Sequence, residues 1–169
     1  MFDSLDMDIF SKKVALAHIA EQAERYEEMK ENIKYVATNP REGETTVHLS
    51  LEERNLLSVA YKNIVGSKRN AWRSLHFMEE KARAKQENEE LLAELSRFRE
   101  TIERELIEVC SEIVTLIQDY LIHEEDSVDE RVYYYKMVGD YYRYECEILT
   151  GEDRNEVITK ADERYGSNA

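Results

Sequence analysis

The longest hydrophobic pattern in the chain lies in its second half, where apolar residues recur at alternating intervals of three and four positions. The stripe consists of Leu91, Leu95, Phe98, Ile102, Leu106, Val109, Ile113, Leu116 and Tyr120. Because an α-helix has about 3.6 residues per turn, this spacing places all of them on one side of a helix. It predicts one long amphipathic helix from Leu91 to Tyr120. A bundle of helices is favoured over a coiled coil, because the neighbouring segments are also amphipathic.

Shorter helical patterns lie in the first half of the chain. Apolar and small residues at helical spacing predict two helices within residues 6–37. Residues 38–49, which hold the only proline, predict a loop. Ser50 and Glu53 then have the spacing of a capping box, which predicts the start of a helix that runs to about Lys81.

Further turn signals complete the outline. Residues 79–90 are charged and lack an apolar pattern, which predicts a connecting segment, or join, before the long helix. A second capping box, at Ser127 and Glu130, predicts a helix that ends near Gly151. A short helix is predicted over about 154–165. With 5 Gly and 1 Pro, the prediction is an all-α fold: an antiparallel bundle of about six helices in a single domain, residues 1–169.

The overall charge restricts the partners. The chain has 37 acidic and 23 basic residues, a formal net charge of −14. Because phosphate backbones and anionic membranes repel such a surface, we expect no nucleic acid and no membrane as partners. No apolar run approaches about 20 residues, and the acidic N-terminus does not resemble a secretory signal. Cys110 and Cys146 lie in helical patterns and are expected to be reduced thiols, so a cytoplasmic location is predicted.

Residues 54–78 have the opposite character, because they contain basic residues and no acidic one. Lys62, Arg69 and Arg73 fall within about 40° of one another on a helix. No carboxylate lies three or four positions away, so no local pair neutralises them. The stripe predicts a binding site for a doubly negative group. The alternative is a solvated basic face paired to acids elsewhere in the fold.

A second basic element follows in the predicted helix after Ser127. Lys136 and Arg143 are seven residues apart, and Tyr144 comes next. Asp140 and Glu147 have the spacing of intrahelical ion pairs with these cations. Either these acids absorb the two charges, or they hold the cations in place for an outside anion.

A phosphate monoester is the anion that two such helices would suit. If they face each other, Lys62, Arg69, Arg143 and the Tyr144 hydroxyl converge. Arginine forks and a phenol then offer several charge-assisted hydrogen bonds to the phosphate.

Patterns typical of catalysis and of metal binding are missing from the sequence. None of the four histidines has di-iron or zinc-protease spacing, and no Gly-rich phosphate loop is present; these are His18, His48, His76 and His123. The cysteines lack metal-ligand spacing. We therefore expect no enzyme, no catalytic residue, no metal and no cofactor. Trp72 and the tyrosines at 133–135 are expected to pack.

Four motifs resemble one family. The segment RNLLSVAYKNIVGSKRNAWR (residues 54–73) resembles the third helix of 14-3-3 proteins. AEQAERYEEM (20–29) resembles their first helix junction, YYYKMVGDYYRYECE (133–147) their fifth helix, and TGEDR (150–154) the turn after it. The resemblance covers about 19–165. It implies a 14-3-3-like bundle that dimerises through helices one to four, with a groove for phosphoserine or phosphothreonine peptides in each protomer.

The resemblance also implies roles for single residues. The phosphate pocket falls on Lys62, Arg69, Arg143 and Tyr144, and further groove contacts fall on Lys136 and Arg73. The dimer interface falls on Ile19, Ala23, Arg25, Leu75, Met78, Phe98 and Glu105, with Arg25 and Glu105 resembling a salt-bridging pair across it. The dimerisation region is expected over about 6–122, and the basic groove wall over about 50–81 and 127–150.

The chain departs from the family pattern in several places. The loop before Ser50 is longer than usual. Val138 replaces a lysine, Glu145 replaces a leucine, and Thr101 replaces a lysine that pairs with an acid at the position of Glu28 across the dimer. One interface ion pair is therefore expected to be missing, a small loss for an exposed pair.

The resemblance further implies that the chain ends within the sixth helix and lacks the family's last three helices. Those helices supply the apolar wall of the groove, so peptide affinity is expected to fall and self-association to rise. Two functions follow: a dimeric adaptor or regulatory protein that binds phosphorylated client proteins, or a dimerisation module that pairs with itself or with full-length relatives and binds no ligand.

Overall fold

The computed structural model describes residues 7–149 and 158–161, and all of its regular structure is helical. The helices are α1 (Ile9–Gln22), α2 (Tyr26–Thr38), α3 (Leu51–Ala84), α4 (Glu89–Leu116) and α5 (Val128–Ile148). A π-helical segment, Ile117–Leu121, continues α4. The described part of the last predicted helix, residues 158–161, is helical, and the rest of it lies outside the described residues. The prediction of an all-α fold is confirmed.

Contacts within the chain define two compact units. The first consists of Met1–Ile64 and Thr115–Tyr134, and the second of Val65–Val114 and Tyr135–Ala169. Helices α3, α4 and α5 each contribute to both units. The single domain expected over 1–169 stays a prediction.

In the first unit, α1 packs against α2, and α2 contacts the π-helical segment. Ala17 and Ala20 are the buried residues of α1, and such small side chains permit a close approach of two helices. Met29 and Ile33 of α2 and Tyr61 of α3 are fully buried in the same unit. The two short N-terminal helices are therefore held by an apolar core, as their spacing predicted.

The start of α3 is fixed by the predicted capping box. The Ser50 N–H donates to Glu53 at 2.8 Å, and the Glu53 N–H donates to the Ser50 hydroxyl at 3.2 Å. Arg41 from the preceding loop donates to the same carboxylate at 2.6 Å. Burial alone would raise the pKa of Glu53, but the hydrogen bonds from Arg41 and Ser50 outweigh it and lower the pKa. The cap therefore also carries an ion pair whose carboxylate is buried.

The long loop between α2 and α3 is attached to the segment before α5. His123 Nε2 lies 2.8 Å from the Val47 carbonyl oxygen, and the His48 and His123 rings lie 4.6 Å apart. The Asp126 carboxylate accepts from the His123 N–H at 2.8 Å. The helix that follows is capped as predicted, because the Glu130 N–H donates to the Ser127 hydroxyl at 3.2 Å.

The predicted join over residues 79–90 is wrong for most of its length. Helix α3 continues to Ala84 and α4 begins at Glu89. Helix α3 continues past Glu79 because tertiary contacts satisfy this charged residue. Glu79 is buried, and its carboxylate accepts hydrogen bonds from Arg99 at 2.5 Å, Arg83 at 2.6 Å and Ser96 at 2.7 Å. Hydrogen bonding to Arg99 lowers the pKa of Glu79. A charged side chain thus occupies an interior position where the sequence indicated a surface loop.

Only some residues of the long apolar stripe lie in the hydrophobic core. Leu106 and Ile113 are fully buried, whereas Leu91 is 47% exposed and Phe98 is 63% exposed. The helix also changes to π-helical hydrogen bonding at Ile117, before the predicted end at Tyr120. Among the described residues, no helix is long and apolar enough to cross a membrane.

We expect Glu53→Gln to lower the free energy of unfolding by about 2 kcal/mol. The substitution leaves Arg41 without its charged partner and weakens the helix cap. Urea unfolding followed by circular dichroism measures this. Glu42→Gln, which changes an exposed acid of the same loop, should stay within about 0.5 kcal/mol of the parent. Equal stabilities of the two variants would contradict the structural role of Glu53.

Candidate functional site

Helices α3 and α5 bring two arginines to one tyrosine ring in the second unit. The Cζ atom of Arg69 lies 4.1 Å from the centroid of the Tyr144 ring, and that of Arg143 lies 5.4 Å from it. A guanidinium over an aromatic face is attracted to the ring quadrupole, so the ring reduces the freedom of both side chains. Three of the four residues predicted to bind phosphate are therefore close together.

A single carboxylate joins α5 to the stripe on α3. Glu147 Oε2 accepts from Arg69 Nε at 3.0 Å and from Arg69 Nη2 at 2.8 Å. Glu147 Oε1 accepts from Arg73 Nε at 2.7 Å, and Arg73 Nη2 lies 2.6 Å away. Burial would raise the pKa of Glu147, but the two arginines outweigh it and lower the pKa. The interpretation of Glu147 as an intrahelical partner of Arg143 is wrong, because this carboxylate binds the other helix.

Arg143 is held much less firmly than Arg69. Its side chain is 71% exposed, and its guanidinium lies 3.5 Å from Asp140, the intrahelical contact that the spacing predicted. We use the term arginine cluster for Arg69 and Arg143, which lie over the Tyr144 ring, together with Arg73, which shares Glu147 with Arg69. Among the residues that the structure describes, the three cations of the cluster contact two carboxylates, those of Glu147 and Asp140, which leaves one positive charge in excess within that set.

The two predicted lysines lie apart from these contacts. Lys136 is exposed on α5, two turns before Arg143. Lys62 is exposed on α3, two turns before Arg69, and belongs to the first unit. Their participation in a phosphate site stays a prediction.

Glu145 is a buried carboxylate next to Tyr144 in the sequence, and its burial was not predicted. The family resemblance marked it only as a departure, a glutamate in place of a leucine. In the structure it is 6% exposed, and the Ser111 hydroxyl of α4 acts on its carboxyl. Burial raises the pKa of Glu145 to about 7, against smaller lowering by Lys160 and Ser111. Its position directly after Tyr144 was visible, but its burial against α4 was not.

The two cysteines lie close to this region and are free thiols. Burial raises the pKa of the Cys110 thiol, and the charge of Glu145 raises it further, whereas Arg69 lowers it. A thiol of raised pKa is a poor nucleophile. Within residues 7–149 and 158–161, no group of three or more His, Cys, Asp or Glu side chains is placed to hold a metal ion.

A cleft of about 570 Å³ lies beside the arginine cluster and includes Glu147 in its lining. The Trp72 and His76 rings on its wall are stacked, with centroids 4.9 Å apart and planes at 6°. The Trp72 N–H donates to Glu103 at 2.9 Å. These contacts agree with the packing role predicted for Trp72.

The residues expected at a dimer interface differ in exposure. Ile19 is 63% exposed, Phe98 63% and Met78 50%, and Ala23 is also exposed, whereas Leu75 is partly buried. Large apolar side chains with half or more of their surface in water favour a protein partner. The interface itself stays a prediction.

The two charged residues of the expected interface have partners within the chain. Arg25 pairs with Glu28 on the same side of α2. Glu105 Oε2 lies 3.7 Å from Lys68 Nζ. For Arg25 of one protomer to pair with Glu105 of the other, each side chain would have to leave its present partner. The cost is small, because exposed ion pairs are weak.

The fold and the cluster define an all-helical protein with arginines from two helices gathered around a tyrosine. Residues 16–169 match the sequence model of the family described as 14-3-3 protein. The chain belongs to the 14-3-3 family.

Curated relatives agree with this assignment. The chain is 46% identical over 152 residues to the 14-3-3 protein homolog of Candida albicans, covering 90% of this chain and 55% of that protein. It is 41% identical over 149 residues to 14-3-3-like protein 2 of Caenorhabditis elegans, covering 88% and 56%. It is 42% identical over 152 residues to Protein BMH2 of Saccharomyces cerevisiae, covering 90% and 54%. The chain thus spans a little over half the length of the relatives it matches.

We expect Glu145→Gln to stabilise the protein increasingly as the pH rises from about 4.5 to about 7. In the folded chain Glu145 keeps its proton up to a pKa of about 7, whereas the unfolded chain releases it near 4.5. The parent therefore loses up to about 1.4 kcal/mol per pH unit over this window, about 3 kcal/mol in total, and the variant does not. Urea unfolding at pH 5, 6, 7 and 8 measures the difference. A difference that does not change with pH would contradict the burial of an ionisable Glu145.

Proposed function

We propose that this chain binds phosphoserine or phosphothreonine segments of other proteins and acts as an adaptor or regulatory protein. The convergence of Arg69 and Arg143 on the Tyr144 ring is the observation that carries the proposal. Membership of the 14-3-3 family supports a role of this kind. Because the chain spans little more than half of its relatives, its own ligands and partners need direct measurement.

The contact between Arg69 and Glu147 is compatible with an incoming phosphate. A guanidinium has five N–H donors, and Glu147 accepts from the Nε and Nη2 atoms of Arg69. The remaining donors of Arg69 are available for a second acceptor. Glu147 also binds Arg73, so the carboxylate keeps one partner when Arg69 shifts toward a ligand. In this proposal Glu147 positions Arg69 and does not compete with the ligand.

Charge selects the phosphorylated ligand over its unmodified form. A phosphate monoester carries about −1.5 to −2 charges at neutral pH and accepts several hydrogen bonds. Arg143 meets it at little cost, because its guanidinium is mostly in water and has one acid nearby at 3.5 Å. The Tyr144 hydroxyl is a further donor, and Lys136 and Arg73 are further cations of the same unit. A neutral serine hydroxyl has no comparable interaction with this cluster.

The first experiment compares a fluorescent phosphoserine peptide with its unphosphorylated form by anisotropy. We expect the parent to bind the phosphorylated peptide at least about tenfold more tightly. Arg69→Glu should remove the difference, because it reverses the charge at the centre of the cluster. Arg104→Glu, which makes the same change at an exposed position of α4, should keep it. Equal binding of the two peptides by the parent, or no binding, would exclude this function.

Exposed apolar residues favour a second function, self-association. Phe77, Met78 and Phe98 have 64%, 50% and 63% of their surface in water. Two of them, Met78 and Phe98, belong to the dimer interface that the family resemblance implies. We propose that this surface pairs two copies of the chain, or one copy with a full-length relative, with or without a phosphorylated ligand.

We expect a dimer in sedimentation velocity, and a shift to monomer in the Met78→Asp and Phe98→Asp variants. Burying an aspartate in an apolar interface costs several kcal/mol, enough to separate the protomers at micromolar concentration. Val128→Asp is the matched control, because Val128 is 65% exposed and lies outside the expected interface. A parent that stays monomeric up to about 100 μM, where a Kd in the micromolar range would already give dimers, would exclude the pairing.

A further inference from the structure

We propose that a pocket between α1 and the first turns of α3 binds a small organic ammonium ion, that is, a protonated amine carried on an apolar chain or ring. The pocket has a volume of about 400 Å³, and small-molecule sites typically measure about 300–1,000 Å³. Its lining residues belong to the first unit of the chain, whereas the arginine cluster belongs to the second. The proposal therefore adds a second site and does not depend on the phosphopeptide function.

The apolar part of the pocket comes from α3. Leu56 and Val59 are three residues apart, so they share one side of the helix. Leu56 is buried, with 3% of its surface exposed, whereas Leu51 near the start of the helix is 62% exposed. A ligand with an apolar body would cover the Leu51 side chain and remove it from water, which favours binding.

Two polar side chains of the pocket lack a partner among the residues that the structure describes. They are the carboxylate of Glu21, from α1, and the amide of Asn55, from α3. Glu21 is partly buried. Removing water from a charged group without supplying a partner is unfavourable, so the unpaired Glu21 carboxylate favours a ligand with a positive charge. The Asn55 amide can form a hydrogen bond with a polar group of the same ligand.

The end of α1 adds negative charge at the same place. Glu21 lies in the last turn of α1, and this turn contains no basic residue. The last carbonyl groups of a helix carry a partial negative charge, which favours a cation beside them. Arg25, the next basic residue along the chain, pairs with Glu28 instead. The first turn of α3 has the opposite polarity, but the acids Glu52 and Glu53 lie in that turn and offset it.

His18 is the basic side chain found in the lining of this pocket, and its contact is with Glu52. His18 Nε2 lies 2.5 Å from Glu52 Oε1, which joins α1 to α3 at the pocket. Both side chains are exposed, at 45% and 62%, and exposed pairs of this kind are weak. An incoming ammonium group can therefore share Glu52 with His18, while Glu21 supplies a carboxylate that has no competing partner in the described chain.

Charge complementarity decides which occupant fits the pocket. The chain has a formal net charge of −14, so it attracts small cations and disfavours an acidic surface of a second copy in this pocket. An inorganic cation would leave the apolar surface of Leu51 and Val59 uncovered. Within the described residues, no group of three or more His, Cys, Asp or Glu side chains is placed to hold a metal ion. An amine with an apolar body satisfies both the carboxylate and the apolar surface.

A ligand-observed NMR titration at pH 7 tests the proposal. The probes are phenylethylammonium and phenylethanol, which have the same apolar body and differ in charge. We expect the parent to bind the ammonium ion about tenfold more tightly than the alcohol. Glu21→Gln should bring the two affinities to within about twofold of each other, because it removes the charge and keeps the size of the side chain. Glu124→Gln, at an exposed position outside the pocket, should keep the tenfold difference.

A second variant tests the apolar contact separately from the charge. Leu51→Ser should weaken the binding of both probes by about threefold and leave the ratio of their affinities unchanged, because both probes contact the same apolar surface. The exposure of Leu51 makes this change mild for the fold. A capped lysine, which carries its ammonium group on a flexible alkyl stem, represents the side chain of a bound protein segment. We expect it to bind at least about threefold more weakly than phenylethylammonium.

Each result has a defined meaning. Equal affinities of the parent for the two probes, or a ratio that Glu21→Gln does not change, would overturn the cation site. No binding of either probe up to about 10 mM would overturn the pocket as a ligand site. Tighter binding of the capped lysine than of phenylethylammonium would overturn the assignment to a small molecule and point to a protein segment. A charge-dependent affinity that Glu21→Gln abolishes and Glu124→Gln retains supports the proposal.

Discussion

The carboxylate of Glu147 is the contact on which the arginine cluster depends. The stripe on α3 places like charges on one side of a helix, an arrangement that repels itself. Glu147 of α5 meets two of these charges with one oxygen each, which fixes the guanidinium planes of Arg69 and Arg73. The Cζ atom of Arg69 then lies over the Tyr144 ring, 4.1 Å from its centroid. A protein that binds anions needs such pre-positioned cations, because cations that must first be ordered lose part of the binding free energy.

Buried carboxylates have two distinct uses in this chain. Glu53 and Glu79 are saturated by arginines and hydrogen bonds, and each stabilises an element of the fold: the start of α3 and the packing of its last turns. Glu145 has no such set of bonds among the described residues, and burial raises its pKa to about 7. It destabilises the fold at neutral and alkaline pH.

Much of the secondary structure could be predicted from local sequence patterns. The capping box at Ser50, the Ser127 cap, the two short helices and the loop that holds the proline depend on interactions within about four residues, and the structure confirms them. The predicted join at 79–90 was wrong because Glu79 is satisfied by Arg99, a residue 20 positions away. The pairing of Glu147 was wrong for the same reason, since its partners lie 78 and 74 positions away on another helix. Local spacing contains no information on such contacts.

The sequence by itself determined the fold class, the family and the identity of the basic residues, because helical periodicity and family motifs are properties of neighbouring positions. Only the tertiary structure decided which acid neutralises which arginine, that Arg69 and Arg143 share the Tyr144 ring, and that Glu145 is buried. The physical reason is that pKa values and ion pairs depend on burial and on distances between helices. Those quantities exist only once α3, α4 and α5 have packed together.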